Sequence, residues 1–133
     1  MIMQVPEGLK YTREHEWIKV EGDRGQVGIT HYAQDQLGDV VFVELPKKGR
    51  SLRQMEPFGV IESVKAVSDL YCPAGGEVLE VNGELERKPE LVNGDPYGAG
   101  WMIRVKITNP KDLDKLLSAS EYSAYLKQAG GGH

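Results

Sequence analysis

The sequence is poor in several residues on which many small proteins rely. It has one cysteine, Cys72, in 133 residues, so it has neither an internal disulfide nor a Cys-x-x-Cys site. Its three histidines, His15, His31 and His133, are scattered, with no cysteine at ligand spacing, which leaves no metal motif. The pair His15-Glu16 begins like a zinc-protease signature, but Lys19 stands where the second histidine belongs. No apolar run approaches the roughly 18 residues of a transmembrane helix, and residues 1–7 show no basic stretch leading into an apolar one. Positive charge is in deficit, with 16 Lys and Arg against 20 Asp and Glu and a net charge of -4. That is the wrong balance for a protein that grips a phosphate backbone. These absences point to a reducing compartment and to partners that include neither nucleic acid nor membrane. The bacterial cytoplasm is the simplest such place, and a mature protein of the mitochondrial matrix would look the same.

Enzymatic constellations are missing as well. Gly22, Gly25 and Gly28 fall inside an expected hairpin, not between a strand and a helix, so they do not make a phosphate loop. There is no Gly-x-Ser-x-Gly elbow. Cys72 has no local group to lower its thiol pKa and is followed by Pro73, which reads as a semi-buried residue at a strand end.

What is present reads mainly as strands and turns. Residues 15–20 alternate and end at Glu21-Gly22-Asp23, a turn cluster suited to a hairpin into residues 26–29. Thr30 can cap a short helix over residues 32–37, with Gly38 as its stop. Residues 39–45 form a β-branched strand halted by Pro46. Residues 58–64 and 76–81 are further strands, the latter ending at an Asn82-Gly83 turn, and residues 101–107 are the last and best-buried strand. The character changes at Asn109-Pro110, where Asn caps, Pro takes the first helical position, and Leu113, Leu116 and Leu117 form an apolar stripe. Ser118 and Glu121 have the spacing of a capping box, with Tyr122, Tyr125 and Leu126 on the buried side of a second helix. Trp17, Trp101 and Phe42 are expected in the core. The length suits a single domain over residues 1–133: a β-rich core at 8–108, helices at 109–128 and a flexible tail at 129–133.

One segment, residues 58–73, is nearly symmetric about Lys65. Val64 faces Ala66, Ser63 faces Val67 or Ser68, and Glu62 and Asp69 put a carboxylate on each side. If the chain reverses there, Lys65 projects from a tight turn with its amine in water, open to a modifying enzyme. Periodicity alone does not predict that turn, because Gly, Asn and Pro are absent from Val64-Lys65-Ala66. A lone lysine is by itself an ordinary solvated residue.

The run Glu62-Ser63-Val64-Lys65-Ala66-Val67-Ser68-Asp69-Leu70-Tyr71 strongly resembles the lipoyl-attachment segment of the glycine cleavage system H protein family. Other pieces of that pattern follow in order, among them His15-Glu16-Trp17-Ile18, Leu37-Gly38-Asp39-Val40-Val41-Phe42-Val43-Glu44-Leu45-Pro46, Pro89-Glu90-Leu91-Val92-Asn93, Pro96-Tyr97-Gly98 and Gly100-Trp101-Met102-Ile103. The likeness runs from Leu9 to about Lys127. It implies a mainly β fold, a lipoyl-type barrel-sandwich hybrid of two small sheets with short C-terminal helices, in a monomer. It also implies a carrier rather than an enzyme, with lipoic acid in amide linkage to Lys65. A pyridoxal-phosphate glycine decarboxylase (P protein) would load an aminomethyl group onto the arm. A tetrahydrofolate-dependent aminomethyltransferase (T protein) would remove it, and dihydrolipoamide dehydrogenase (L protein) would reoxidise the dithiol. A lipoate ligase or octanoyltransferase would attach the arm. The hard chemistry then belongs to cofactors and partners, while tethering raises the local concentration of the arm.

The likeness further implies a cleft in which Glu16 and Asp69, with His15 adjacent, hold the ammonium of the loaded arm, and it implies recognition of Glu62 and Asp69 by the lipoylating enzyme. Two positions depart from the family's habit: Glu14 replaces a small polar residue and His31 an aspartate. A biotin carrier would flank its lysine with methionines, where this chain has Val64 and Ala66. Lipoyl domains of 2-oxoacid dehydrogenases lack the His-Glu-Trp and Pro-Tyr-Gly segments. An H-like protein that relays lipoyl or octanoyl groups to other carriers is the alternative role on the same fold.

Overall fold

The computed structural model describes residues 3–128; the tail expected at 129–133 lies outside the described residues. In chain order the strands are β1 (Lys10–Tyr11), β2 (Glu16–Glu21), β3 (Arg24–Ile29), β4 (Val40–Glu44), β5 (Ser51–Leu52), β6 (Pro57–Ser63), β7 (Val67–Tyr71), β8 (Gly76–Val81) and β9 (Ile103–Ile107). The α-helices are α1 (His31–Leu37), α2 (Glu84–Arg87), α3 (Leu91–Gly94) and α4 (Ala119–Gln128), and a 3-10 helix covers Pro110–Lys115. All strand pairs are antiparallel. They form a six-stranded sheet in the order β1-β2-β3-β9-β8-β5 and a three-stranded sheet in the order β4-β6-β7. Two small sheets with helices added is the expected barrel-sandwich hybrid.

The two sheets bury one apolar cluster between them, including Ile18, Val27 and Ile103 from the larger sheet and Val43, Ile61 and Leu70 from the smaller. Burying such side chains supplies most of the drive to fold. A second cluster fastens α4 across the first strands: Tyr11, Trp17, Ala119, Tyr122 and Leu126. The rings of Tyr11 and Tyr122 stack at 4.6 Å. Trp17 lies flat on β3 because residue 28 is glycine: a Cβ there would sit 2.8 Å from the indole. The indole N–H donates to the carbonyls of Ile29 (3.0 Å) and Pro96 (3.1 Å).

Local signals are obeyed at several ends. Thr30 Oγ1 accepts the Ala33 N–H at 3.2 Å and so caps α1. Gly38, at φ 79°, closes it by donating to Gln34 O. Ser118 and Glu121 make the reciprocal capping box, the Ser118 N–H to Glu121 Oε1 at 2.8 Å and the Glu121 N–H to Ser118 Oγ at 3.2 Å.

Five expectations are corrected. Phe42 is 49% exposed, not core, because β4 turns it to the outer face of the small sheet, where nothing covers it. Trp101 is only half-buried, with the Arg104 guanidinium 4.0 Å above its ring, and the last strand begins at Ile103. Cys72 is fully buried, and burial pushes its thiol up to about 12, so it is inert packing. The segment after Asn109 is 3-10 rather than α, and Asn109 offers no side-chain cap. Its amide instead donates to Asp112 Oδ1 at 3.1 Å. Asp112 in turn accepts the Gly75 N–H at 2.9 Å, which ties the tight turn to the sheet.

Candidate functional site

The site is built on the β6–β7 hairpin. Glu62 pairs with Val67, and the Ser63 N–H donates to Ala66 O at 2.8 Å, which leaves Val64 and Lys65 as the loop. Ser63 therefore faces Ala66, not Val67 or Ser68. Its hydroxyl makes the turn: Oγ accepts the N–H groups of Lys65 (3.3 Å) and Ala66 (3.0 Å). None of the loop residues has a positive φ, so the turn needs no glycine. A serine at the first turn position was the signal available in the sequence.

The tip is held from below. The Val64 N–H donates to Asp39 O at 3.0 Å. The stem of Lys65 lies over Gly38, where a Cβ would come within 3.2 Å of Lys65 Cε and 3.9 Å of Nζ. Gly38 thus closes α1 with a backbone that favours glycine and leaves room for the lysine. Asn93 of α3 clamps this junction: its amide N–H groups donate to Gly38 O (2.9 Å) and Gln34 Oε1 (3.0 Å), and its Oδ1 accepts the Val40 N–H (2.9 Å). In the sequence Asn93 stands out only as part of the Pro89–Asn93 run. Its partners are 53 to 59 residues away, beyond any local rule.

Beside the hairpin is a cavity of about 310 Å³ between α1 and β7. Ile29, Ile61 and Leu70 supply apolar wall, α1 contributes Tyr32, Ala33, Gln36 and Leu37, and Ala66 to Asp69 form the hairpin side. Glu14, His15 and Glu16 complete the lining. The fold therefore gathers His15, Glu16 and Asp69 in one cavity next to Lys65. Glu62 is not among the lining residues, although it pairs with Val67, which is. His31 does not line the cavity either; at the head of α1 its Nδ1 accepts the Gln4 N–H at 2.9 Å.

Glu16 is 1% exposed. Its Oε1 accepts the Thr12 hydroxyl at 2.5 Å and its Oε2 the Tyr71 N–H at 3.2 Å, joining the start of β2 to the end of β7. Burial nonetheless dominates and pushes its carboxyl up to about 8. His15 sits at φ 76°, a left-handed backbone that a non-glycine residue adopts at some cost. Its Nδ1 is 2.8 Å from the Tyr122 hydroxyl, which is 2.7 Å from Thr30 Oγ1. Burial lowers the His15 pKa.

The Glu16 shift carries a stability prediction. Between the ordinary 4.5 and about 8 the unfolded chain releases a proton that the folded one keeps. Stability should therefore fall as pH rises through that window, by up to about 1.4 kcal/mol per pH unit, and level off above it. His15 acts in the opposite sense, since its lowered pKa makes acid costly to the folded state. Urea unfolding of Glu16→Gln beside the wild type at pH 5, 6.5 and 8 isolates the glutamate; identical slopes in the two proteins would refute the assignment.

The sequence pattern of the glycine cleavage H-protein family matches residues 9–129. The chain belongs to that family. The "Glycine cleavage system H protein" of Symbiobacterium thermophilum is 64% identical over 124 residues, covering 93% of this chain and 97% of the relative. That of Halothermothrix orenii is 56% identical over 126 residues, covering 95% and 98%. The crystal structure of a glycine cleavage system H protein from Mycobacterium marinum superposes with a TM-score of 0.84 at 42% identity, covering 95% of this chain and 99% of that one. H proteins are the lipoyl-bearing carrier component of the glycine cleavage system, which sets aside the biotin-carrier and dehydrogenase-domain readings. Among the described residues, no helix is long and apolar enough to cross a membrane.

Proposed function

We propose that Lys65 carries a lipoyl group in amide linkage, and that the whole chain acts as one monomeric shuttle. It would visit glycine decarboxylase, the aminomethyltransferase and dihydrolipoamide dehydrogenase in turn. The relatives named above are bacterial, and we place the chain in a bacterial cytoplasm. The observation that carries the reading is the lysine exposed at a pinned hairpin tip with a part-apolar cavity beside it. The residues fit such a group: the amine end of Lys65 is free of any ion pair among the described residues, and the cavity has both apolar wall and carboxylates. A bound lipoyl group supplies a disulfide that opens as it accepts a one-carbon unit and closes when it gives up electrons.

The rest is done by this chain. Lys65 Nζ is the point of attachment, and Ser63, Asp39 and Asn93 keep its turn from fraying. Ile61, Leu70 and Leu37 shield whatever enters the cavity from water. Glu16 and Asp69 receive an ammonium-bearing cargo, with His15 framing the mouth. A carboxyl poised near 8 suits that task, because an arriving cation favours its charged form and draws out the proton. Glu62 and Asp69 are read by the lipoylating enzyme.

After co-expression with a lipoate ligase, intact mass and peptide mapping should find one lipoyl group, on Lys65. A bare Lys65, or the group on another side chain, would overturn the reading. For the cavity, Glu16→Ala should shorten the lifetime of the carried cargo by about tenfold, read as release of its carbon unit into buffer; an unchanged lifetime removes Glu16 from the role.

A further inference from the structure

His15 lines the cavity, but one edge of its ring is spent on a buried chain of hydroxyls. Nδ1 lies 2.8 Å from the Tyr122 hydroxyl, which lies 2.7 Å from Thr30 Oγ1. Thr30 also donates its backbone N–H to His15 O at 3.0 Å and caps α1 by accepting the Ala33 N–H. Thr30 and Tyr122 are fully buried, so bulk water reaches neither hydroxyl. Hydrogens fit this chain in one satisfied order. The Thr30 hydroxyl hydrogen has one acceptor in reach, the Tyr122 oxygen, because its other contact, the Ala33 N–H, is itself a donor. The Tyr122 hydrogen must then go to His15 Nδ1, and the ring hydrogen sits on Nε2. The reverse order strands the Thr30 hydrogen without an acceptor in the core, which native interiors rarely tolerate. Among the described residues Nε2 has no hydrogen-bond partner, yet no buried side-chain nitrogen is left without one. Nε2 is therefore open to solvent, and it is the edge that His15 offers to the cavity.

We infer that Tyr122 is a positioning residue: its hydroxyl fixes His15 in the Nε2–H tautomer, so that the cavity meets its cargo with a neutral donor rather than a base. The role toward cargo rests on the shuttle reading above. Tyr122 belongs to α4, which contributes nothing to the cavity wall, so it acts only through His15. For an ammonium-bearing cargo the tautomer decides the outcome. A lone pair on Nε2 would take the ammonium proton. The electron pair freed on that nitrogen would form a C=N bond as the C–S pair left with sulfur, and the carbon unit would pass to water. An N–H at the same place takes no proton, and Glu16 and Asp69 are left as the partners of the cation. The titratable groups around the ring are Glu14 and Glu16 beside it in the chain, Tyr32, Tyr122 and Tyr125 with centroids at 4.7, 5.8 and 6.0 Å, and Asp69 in the cavity wall. Burial, the larger influence, disfavours a charged ring, and Glu14 favours one.

The test needs only the full unmodified chain, with its histidines labelled with nitrogen-15 and read by long-range nitrogen–proton correlation of the imidazoles. His15 is assigned by the signal missing from His15→Asn. At pH values above the His15 midpoint the wild type should carry the hydrogen on Nε2 alone; a hydrogen on Nδ1, or an even mixture, overturns the inference. Tyr122→Phe keeps the ring that stacks on Tyr11 and removes only the hydroxyl. His15 should then become a mixture of tautomers. Its titration midpoint should rise by about half a pH unit or more, because the neutral ring has lost a donor. A fall would mean that Nδ1 had been the donor, and no change would mean that the hydroxyl positions nothing; either result overturns the inference. Tyr125→Phe is the control and should behave as the wild type, since its ring is as near but its hydroxyl goes to Arg13 O. On the loaded chain Tyr122→Phe should shorten the lifetime of the cargo by about threefold or more; an unchanged lifetime with an altered tautomer overturns the role toward cargo. If the unaltered chain takes up no lipoyl group, the failure lies with the function proposed above, and the tautomer readings still decide what Tyr122 positions.

Discussion

Replacing Lys65 with arginine is expected to leave a folded protein that carries nothing. The substitution keeps the positive charge and a long stem over Gly38, and the turn depends on Ser63 and backbone groups rather than on the lysine amine. Thermal unfolding should therefore match the wild type. What changes is the nitrogen. A lysine ammonium can lose its proton and present a lone pair, whereas a guanidinium with a pKa above about 12 stays protonated and delocalised and is no acyl acceptor. Incubation with ligase, lipoate and ATP should add no mass, and glycine-dependent carbon transfer with the purified partners should fall to the no-carrier background. Transfer at even a tenth of the wild-type rate would mean that the arm sits elsewhere, and the carrier reading of Lys65 would fail.

The second large effect is structural. Trp17→Ala should destabilise the fold by roughly 3–5 kcal/mol, the cost of emptying a large aromatic site. Trp17 is 1% exposed, rests on a glycine that has no side chain to collapse into the gap, and serves two carbonyls with its N–H. Loss of that donor leaves Ile29 O and Pro96 O short of a partner. For a domain of this size the melting temperature should drop by roughly 10–20 °C. Phe42→Ala, also an aromatic truncation in a strand, should cost under about 1 kcal/mol because its ring is half in water. Comparable losses at the two positions, measured by urea unfolding, would contradict the packing described here.

That contrast also marks how far the chain could be read before it was folded. Positions governed by neighbours within four residues were legible: the Thr30 cap, the Gly38 stop, the Gly22-Asp23 hairpin and the Ser118/Glu121 box each depend on a side chain and a backbone group close in sequence. Burial was less so. A β-branched strand such as Val40–Glu44 has two faces, and alternation does not say which one another sheet will cover; hence Phe42 was expected inside and is outside. Cys72 erred the other way, because its burial comes from the core cluster of both sheets rather than from its own segment.

The candidate site divides along the same line. Lys65 was singled out as the candidate from the sequence because its segment resembles a known one over ten residues, and the family match over residues 9–129 agrees with the family likeness. The turn that presents it was not predicted, since the hydroxyl of Ser63 replaces the glycine or asparagine that turn rules look for. Nor was the clamp of Asn93 on Gly38 and Val40 visible, as it joins residues more than 50 positions apart.

Composition, local caps and one short motif therefore determined the class of protein and named Lys65 as its candidate attachment residue, since each is written in residue identity or in contacts a few positions long. The cavity, the burial of Glu16 against Thr12 and Tyr71, and the position of the exposed Val64 and Val67 beside Lys65 were decided only by tertiary structure. They arise where β2, α1, β4 and the β6–β7 hairpin meet. The free energy that fixes such a meeting is summed over the whole core and belongs to no single segment.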